Sequence, residues 1–312
     1  MRVMLALGGN AMTSRDGDAG PEDQIEAARV AMAAVADLLT RPDPVDVVLT
    51  HGNGPQVGNL LVKNELAAAV VPPVPLDWCG AQTQATLGNV LVNALDDALR
   101  RRGAHRPSAA LMTRTLVDVG DPGFTSPTKP IGRFVGEAEA RQMIEHGEFW
   151  EDRGEKGWRR MVASPEPREI LDAPAVLALI DAGFVVVAAG GGGIPTIRDA
   201  DGYRGVEAVI DKDLTAALLA GTVAADALVI ATDVPNAVLR FGTPEAEPIG
   251  KVTASTMREY AAAGHFAGGS MGPKVEAALR FVETSGKTAV ITDLDSIIDG
   301  LAGSAGTVVV PD

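Results

Sequence analysis

Short, unbroken runs of Val, Ile, Leu and Ala alternate with longer helical patterns along most of this 312-residue chain. The runs at 2–7, 45–50 and 227–232 are apolar at nearly every position, whereas a strand with one face in water would alternate apolar and polar residues. Strands that are buried on both faces need helices on both sides of their sheet. The pattern therefore predicts an α/β fold with a mainly parallel central sheet.

The helical patterns fall between these runs, apart from one long interruption. We expect helices over 22–39, 56–69, 82–102, 168–182, 253–263 and 273–285, and further strands over 109–113, 184–189, 288–292 and 307–310. Residues 114–167 break the alternation, because they hold two of the three Trp residues, a cluster of prolines and one charged helical segment. We therefore predict an inserted, protruding lobe over about 114–167.

Three predicted strands end in glycine-rich turns, which are Gly8-Gly9-Asn10, Gly52-Asn53-Gly54 and the run of four glycines at 190–193. In an open α/β sheet, ligands bind beyond the carboxyl ends of the strands. Glycine lets a ligand approach backbone N–H groups closely. Three such turns on one sheet favour an anion-binding crevice at this edge.

The charge balance and the single cysteine exclude several classes of function. A net charge of −14, with no basic run to offset it, argues against nucleic acid or an anionic membrane as the main partner. Cys79 alone cannot form a disulfide framework or a Cys/His metal site. Because no signal-peptide or membrane-spanning pattern is found, we expect a cytoplasmic globular protein.

Three of the seven lysines lie in unusual surroundings: Lys129 between two prolines, Lys212 between two aspartates, and Lys274 just after Pro273. Lys212 and Lys274 come at predicted helix N-termini, where the helix dipole favours an anion and opposes a cation. An ammonium placed there suits a bound phosphate. For Lys212 the structural alternative is a solvated lysine beside an N-capping Asp213. For Lys129 it is a surface loop.

Other motifs leave one further alternative open. The phosphate loop GxxxxGK[ST] and the serine-hydrolase elbow GxSxG are both absent from the sequence. Glycines at 52, 54 and 58 follow a predicted strand and open a helix, as in a dinucleotide-binding fingerprint, although their spacing is looser. An oxidoreductase that binds NAD therefore stays an alternative.

Taken together, the motifs resemble those of carbamate kinases, a branch of the amino acid kinase family. The resemblance runs nearly the whole length of the chain and rests on LGGN at 7–10, HGNGPQVG at 51–58, PTKPIG at 127–132, GWRR at 157–160, IDKD at 210–213 and GSMGPK at 269–274. HGNGPQVG and PTKPIG are specific to carbamate kinases within the family. Members of its other branches usually carry a lysine where Asn10 closes the first motif, and the resemblance implies that Lys129 supplies this charge.

The resemblance implies an open three-layer αβα sandwich, usually a homodimer, that acts on small molecules. Residues 1–205, including the lobe, would bind carbamate or carbamoyl phosphate. Residues 206–312 would bind ATP or ADP, with Mg²⁺ held mainly through the nucleotide phosphates rather than by protein side chains. The implied reaction is reversible phosphoryl transfer between ATP and carbamate.

The same resemblance assigns the catalytic residues. Lys129 would close over the transferring group from the lobe. Lys212 and Lys274 would neutralise the charge of the phosphoryl and leaving groups. Asp211 would hold these two lysines in position.

Substrate and nucleotide residues follow from the same motifs. Those expected at the substrate are Gly8, Gly9, Asn10, Gly52, Asn53 and Gly54. Those expected at the nucleotide are Lys212, Thr232, Asp233, Val234, Met271 and Lys274. Because Pro235, Ala237 and Gly272 depart from the family pattern beside the nucleotide, its base preference and affinity stay open. Alternatives within the fold are an enzyme acting on another small carboxylate or phosphate, and a non-catalytic nucleotide sensor.

Overall fold

Helices pack on both faces of the central sheet. The structure, a computed structural model, describes residues 1–13, 20–266 and 270–312, without the side chains of residues 10 and 11. The helices in these ranges are α1 (Pro21–Leu39), α2 (Gly54–Ala67), α3 (Leu76–Arg101), α4 (Glu137–Glu145), α5 (Ala173–Asp181), α6 (Lys212–Thr222), α7 (Ala254–Ala262), α8 (Met271–Ser285) and α9 (Ile297–Leu301).

The strands form a large central sheet, two smaller sheets and a two-stranded pair. In chain order they are β1 (Arg2–Leu7), β2 (Asp46–His51), β3 (Ser108–Ala110), β4 (Arg114–Leu116), β5 (Lys129–Val135), β6 (Phe149–Asp152), β7 (Trp158–Val162), β8 (Glu169–Ile170), β9 (Val185–Val187), β10 (Ile194–Asp199), β11 (Gly202–Gly205), β12 (Ala227–Thr232), β13 (Val238–Leu239), β14 (Glu247–Pro248), β15 (Lys251–Thr253), β16 (Thr288–Asp293) and β17 (Thr307–Val310).

The central sheet has eight strands in the order β15-β17-β16-β12-β1-β2-β9-β3. Strand β1 lies in its interior and pairs in parallel with both β2 and β12. The pairing of β16 with β17 is antiparallel, and the other neighbouring strands run parallel. The prediction of a mainly parallel central sheet is confirmed.

Two hydrophobic cores cover the two faces of this sheet. Along β1, Met4 and Ala6 point into the core formed with α5, α6, α7 and α8. Val3, Leu5 and Leu7 point into the opposite core, which is formed with α1, α3 and α9. All five side chains are fully buried, so the unbroken apolar run reflects a strand that is covered on both sides. The result is the expected three-layer αβα sandwich.

A protruding lobe is built on the three-stranded sheet β5-β7-β6 and the charged helix α4. The predicted lobe began earlier, at residue 114. Strand β4 instead pairs with β10 in a separate four-stranded sheet, β11-β10-β4-β8. The first residues of the expected lobe therefore belong to this second sheet, and the lobe sheet spans 129–162.

Several observed element boundaries differ from the predicted ones. The expected helix over 168–182 begins only at Ala173, where Pro174 occupies the first turn. Glu169–Ile170 forms strand β8 instead, because its backbone pairs with β4. Helix α3 begins at Leu76, directly after Pro75 and six residues before the predicted start. The hairpin β10–β11 was not predicted.

Candidate active site

Two glycine turns meet at the carboxyl ends of β1 and β2. The amide of Gly8 donates to the carbonyl oxygen of Ala231 at 2.8 Å, and the amide of Gly52 donates to that of Leu7 at 3.1 Å. A Cβ added at Gly52 would lie 2.8 Å from the Cα of Gly9, which is closer than real contacts of this kind. The turns lie backbone against backbone, so a ligand can approach their main chain without meeting a side chain.

The third glycine turn, Gly190–Gly192, lies directly against the second. A Cβ at Gly190 would lie 2.3 Å from Nε2 of His51, and one at Gly191 would lie 2.1 Å from Nδ2 of Asn53. Glycine is therefore required at both positions so that these two side chains fit. Packing between the turns thus determines where His51 and Asn53 sit.

His51 is buried at the end of β2, with Nδ1 3.0 Å from the carbonyl oxygen of Gly52. Because a carbonyl oxygen only accepts, Nδ1 carries the ring proton. Burial, helped by the nearby charge of Lys212, lowers the pKa of His51 to about 4. The ring is therefore neutral near pH 7 and positions the Gly52 turn rather than neutralising an anion.

A neutral, buried His51 should make the stability of the protein depend on pH. The pKa of His51 is about 4 in the folded chain and 6.5 in the unfolded chain. The free energy of unfolding that neutral His51 contributes is therefore fully present above pH 6.5 and is lost as the pH falls towards 4. Between about pH 7 and about pH 5, we expect the wild type to lose about 2 kcal/mol more unfolding free energy than His51→Gln. Urea denaturation at both pH values measures this, and equal losses would contradict a neutral His51.

Asp211 joins the lobe to the N-terminus of α6. Its Oδ1 accepts from the amides of Asp213 and Leu214 at 2.9 and 3.3 Å and so caps the helix. Its Oδ2 accepts from Nζ of Lys129 at 2.7 Å. Lys129 opens strand β5 of the lobe, so this ion pair spans the cleft between the lobe and the core. The alternative of Asp213 as the N-cap is wrong.

Asp213 holds the other two lysines of the site. Its Oδ1 accepts from Nζ of Lys212 at 2.5 Å, and its Oδ2 accepts from Nζ of Lys274 at 3.1 Å. The expectation that Asp211 makes these two contacts is corrected. Asp211 turns back onto the amides of its own helix, whereas Asp213 points inwards towards α8.

Burial and neighbouring charges shift the pKa values of Lys212 and Asp213. Burial is the largest effect on Lys212 and lowers its pKa, and the neighbouring charge of Lys274 lowers it further. Burial opposes ionisation of Asp213, but the two ammonium groups outweigh it and lower the pKa of this carboxyl. Lys274 is buried in the first turns of α8, where the helix dipole opposes a cation. Asp213 offsets that unfavourable placement, and a bound anion would offset it further.

These groups line two clefts. The larger has a volume of about 850 Å³ and lies between the lobe and the core. Its wall includes the predicted residues Gly9, Gly52, Asn53, Gly54, Lys129, Asp211, Lys212 and Lys274. The smaller, of about 200 Å³, is lined in part by Gly8, Gly9, Thr232, Asp233 and Lys274. Because Gly9, Ser270 and Lys274 line both, the clefts adjoin.

The other predicted site residues either line neither cleft or lie outside the described part of the chain. Val234 and Met271 line neither cleft, and Met271 packs against the core beneath α8. Ser270 and Gly272, on either side of Met271, line the larger cleft instead. The side chain of Asn10 and the whole of Gly269 lie outside the described residues.

Three charged residues that line the larger cleft were not predicted from the sequence. Arg280 donates to Glu166 at 2.7 Å and to Glu276 at 2.8 Å, and all three line the cleft. Glu276 and Arg280 are four residues apart in α8, a spacing that indicates a helix-surface pair. Glu166 is 114 residues from Arg280, and no local pattern could have indicated that contact.

The sequence of the chain is similar to proteins of one known family over most of its length. Residues 1–293 match the family model described as Amino acid kinase family. The chain belongs to the amino acid kinase family. Within that family it groups with the carbamate kinases: it is 45% identical over 314 residues to a carbamate kinase of Thermococcus kodakarensis, covering 99% of each chain. A carbamate kinase of Trichomonas vaginalis is 44% identical over 316 residues, with full coverage of both chains.

A solved member of the amino acid kinase family has the same fold over the whole chain. The carbamate kinase of Giardia lamblia bound to AMP-PNP is 38% identical and superposes with a TM-score of 0.93, covering 100% of this chain and 98% of the other. Membership of this family overturns the dinucleotide-binding alternative. Gly58, the third glycine of that motif, lies against Gly132 of the lobe.

Proposed function

We propose that this protein is a carbamate kinase, which transfers a phosphoryl group reversibly between ATP and carbamate to give ADP and carbamoyl phosphate. The observation that carries the proposal is the convergence of Lys129, Lys212 and Lys274 on one cleft beside glycine turns. Cations and exposed backbone suit a small, highly charged phosphoryl donor. Relatives named carbamate kinase, which are similar to this chain over nearly its whole length, support the same reaction.

The carbamate moiety is proposed to bind at the Gly52 turn and the start of α2. Asn53 is the N-cap of this helix, and Gly54 and Pro55 form its first turn. Backbone N–H groups at a helix N-terminus have no partner within the helix and attract a carboxylate. Gly52, Asn53 and Gly54 all line the larger cleft, which places these donors beside the lysines.

The three lysines are proposed to act on the transferring group from different sides. Lys212 and Lys274 are fixed by Asp213 on the core side, and Lys129 reaches over from the lobe. In the ATP-forming direction, a terminal oxygen of ADP attacks the phosphorus of carbamoyl phosphate, and the bond from phosphorus to the carbamate oxygen breaks. Preorganised cations stabilise the charge that spreads over the phosphoryl oxygens.

This reaction needs no general base, because both carbamate and the ADP phosphate are already anionic. The neutral His51, whose Nδ1 contacts the Gly52 carbonyl, is consistent with such a site. Positioning and charge neutralisation provide most of the catalysis in phosphoryl transfer. The fixed lysines and the close-packed glycine turns support a mechanism of this kind.

The nucleotide is proposed to occupy the smaller cleft, beside Thr232 and Asp233. Among residues 1–13, 20–266 and 270–312, no group of three or more His, Cys, Asp and Glu side chains is arranged to hold a metal ion. Mg²⁺ commonly keeps several waters and binds through phosphates and one or two carboxylates. Asp233, which lines the smaller cleft, offers a carboxylate of that kind, and Mg²⁺ bound with the nucleotide would neutralise part of its phosphate charge.

Lys129→Ala tests both the reaction and the place of the lobe in it. We expect the wild type to form ATP from carbamoyl phosphate and MgADP. The variant should lose about 10²-fold or more in kcat, because the ammonium group that stabilises the phosphoryl oxygens from the lobe is gone. A coupled assay reads ATP formation directly. Lys156→Ala is a matched control, because Lys156 is an exposed lysine of the same lobe.

Each outcome of this experiment has a distinct meaning. Full activity in Lys129→Ala would remove the lobe lysine from the mechanism. No ATP formation by the wild type, with MgADP binding intact in a thermal-shift assay, would refute the carbamate substrate. The activity would then belong to another small carboxylate or phosphate, or the protein would be a nucleotide sensor.

Three further expectations stay predictions. These are the homodimer, the cytoplasmic location and the division into parts at residues 205 and 206. Within the part of the chain that the structure describes, no helix is long and apolar enough to cross a membrane. Sedimentation of the purified chain would show whether it is a dimer.

A further inference from the structure

We infer that Thr83 is a positioning residue, which holds the side-chain amide of Asn53 so that Oδ1 of Asn53 is available to the substrate. The site would thereby select a substrate that carries an N–H group beside its reacting carboxyl group. This inference rests on the proposed function, because it concerns how the same cleft recognises carbamate. Thr83 lies in α3, outside the motifs from which the site was predicted, and its side chain is buried.

The direction of the Asn53 amide follows from the hydrogen bonds of Thr83. The hydroxyl of Thr83 donates to the carbonyl oxygen of Gly80 at 2.7 Å. A threonine hydroxyl has one hydrogen, so it can only accept in its second bond. That bond is made with Nδ2 of Asn53 at 2.9 Å. If the amide were turned over, the hydroxyl could donate to Oδ1 only by giving up its bond to Gly80, so the orientation with Nδ2 towards Thr83 is the one that keeps both hydrogen bonds.

The amide is also confined by the backbone beside it. Asn53 is 8% exposed. Gly191 lies so close that a Cβ built on it would be 2.4 Å from Cγ of Asn53. The Asn53 side chain therefore has little room to swing away, and the choice between its two amide orientations is left to Thr83.

The consequence is an acceptor of fixed direction in the cleft. Oδ1 of Asn53 has no protein donor within the residues that the structure describes, and Asn53 lines the larger cleft beside Gly54. The cleft therefore offers backbone donors for carboxyl oxygens and, next to them, one acceptor. Carbamate has the complementary pattern, since its oxygens accept and its nitrogen donates. An acetyl group presents a methyl there and would leave Oδ1 unpaired.

The proposal predicts a change in substrate selectivity. Carbamoyl phosphate and acetyl phosphate differ by an amino group in place of a methyl group. In Thr83→Val, which keeps the shape but removes the acceptor for Nδ2, we expect the ratio of kcat/KM for carbamoyl phosphate to that for acetyl phosphate to fall about tenfold. The fall should come from carbamoyl phosphate, with acetyl phosphate changed less than about twofold. Thr83→Ser keeps the hydroxyl and should keep the ratio.

Thr86→Val is a matched control, because Thr86 is an exposed threonine in the same helix whose hydroxyl also donates to a backbone carbonyl. An unchanged ratio in Thr83→Val, or an equal fall for both substrates, would overturn the inference and leave Thr83 a structural residue. If Thr83→Val does not fold, Thr83→Ala also lacks the hydroxyl and gives the same readout. A wild type that uses neither substrate would refute the proposed function instead, and so the two failures are distinguishable.

Discussion

Lys212→Ala is expected to lower kcat for ATP formation about 10²- to 10³-fold, the usual cost of losing one electrostatic stabiliser of the transition state. Lys212 is largely buried, and its ammonium is held 2.5 Å from Asp213 at the start of α6. Lys274 cannot replace it, because Lys274 is already bound to the other oxygen of the same carboxylate. Steady-state kinetics with carbamoyl phosphate and MgADP measure the loss.

Lys287→Ala provides the control for Lys212→Ala. Lys287 is half-exposed and lies 3.6 Å from Asp226, away from both clefts. Its removal should leave kcat unchanged. Wild-type turnover in Lys212→Ala, with unchanged unfolding, would exclude a catalytic role for this lysine.

Asp213→Ala is expected to damage both stability and activity. Its carboxylate is 4% exposed and compensates two ammonium groups. Removing one partner of a buried ion pair typically costs about 3–5 kcal/mol, because the remaining charge stays buried without compensation. We also expect kcat to fall at least about 10²-fold, since both lysines lose the group that orients them. Chemical denaturation and the ATP-forming assay measure the two effects separately.

A double variant separates charge from packing in this result. In Asp213→Ala combined with Lys274→Met, one uncompensated ammonium is gone, so part of the lost stability should return while activity stays low. If the double variant is no more stable than Asp213→Ala, buried charge is not the cause of the loss. Full activity in Asp213→Ala would refute the orienting role.

The architecture was predictable because burial on both faces of a strand leaves a direct mark in the sequence. The run of Val3–Leu7 is apolar throughout because helices cover both sides of β1. The glycine turns were predictable for a similar reason, because Gly52 and Gly191 lie where no side chain fits. Short strands such as β8 were missed, because two residues carry no periodicity and their state depends on a distant partner.

The partners of the charged side chains could not be predicted in the same way. Asp211 and Asp213 flank the same lysine in the sequence, and either could have oriented it. The difference arises at the helix start, where the N-cap carboxylate turns back to the first amides and the one two residues later faces the core. Thr83 gave no signal at all, because a buried threonine in a helix is usually structural.

The interior position of β1 has a consequence for synthesis on the ribosome. The first strand of the chain pairs with β2 on one side and with Ala227–Thr232 on the other. Its second edge must therefore stay unpaired until more than two-thirds of the chain has been translated. An open, apolar strand edge is a site of unwanted association. The nascent protein thus carries an open strand edge over most of its synthesis, at the strand that will end at the Gly8-Gly9 turn.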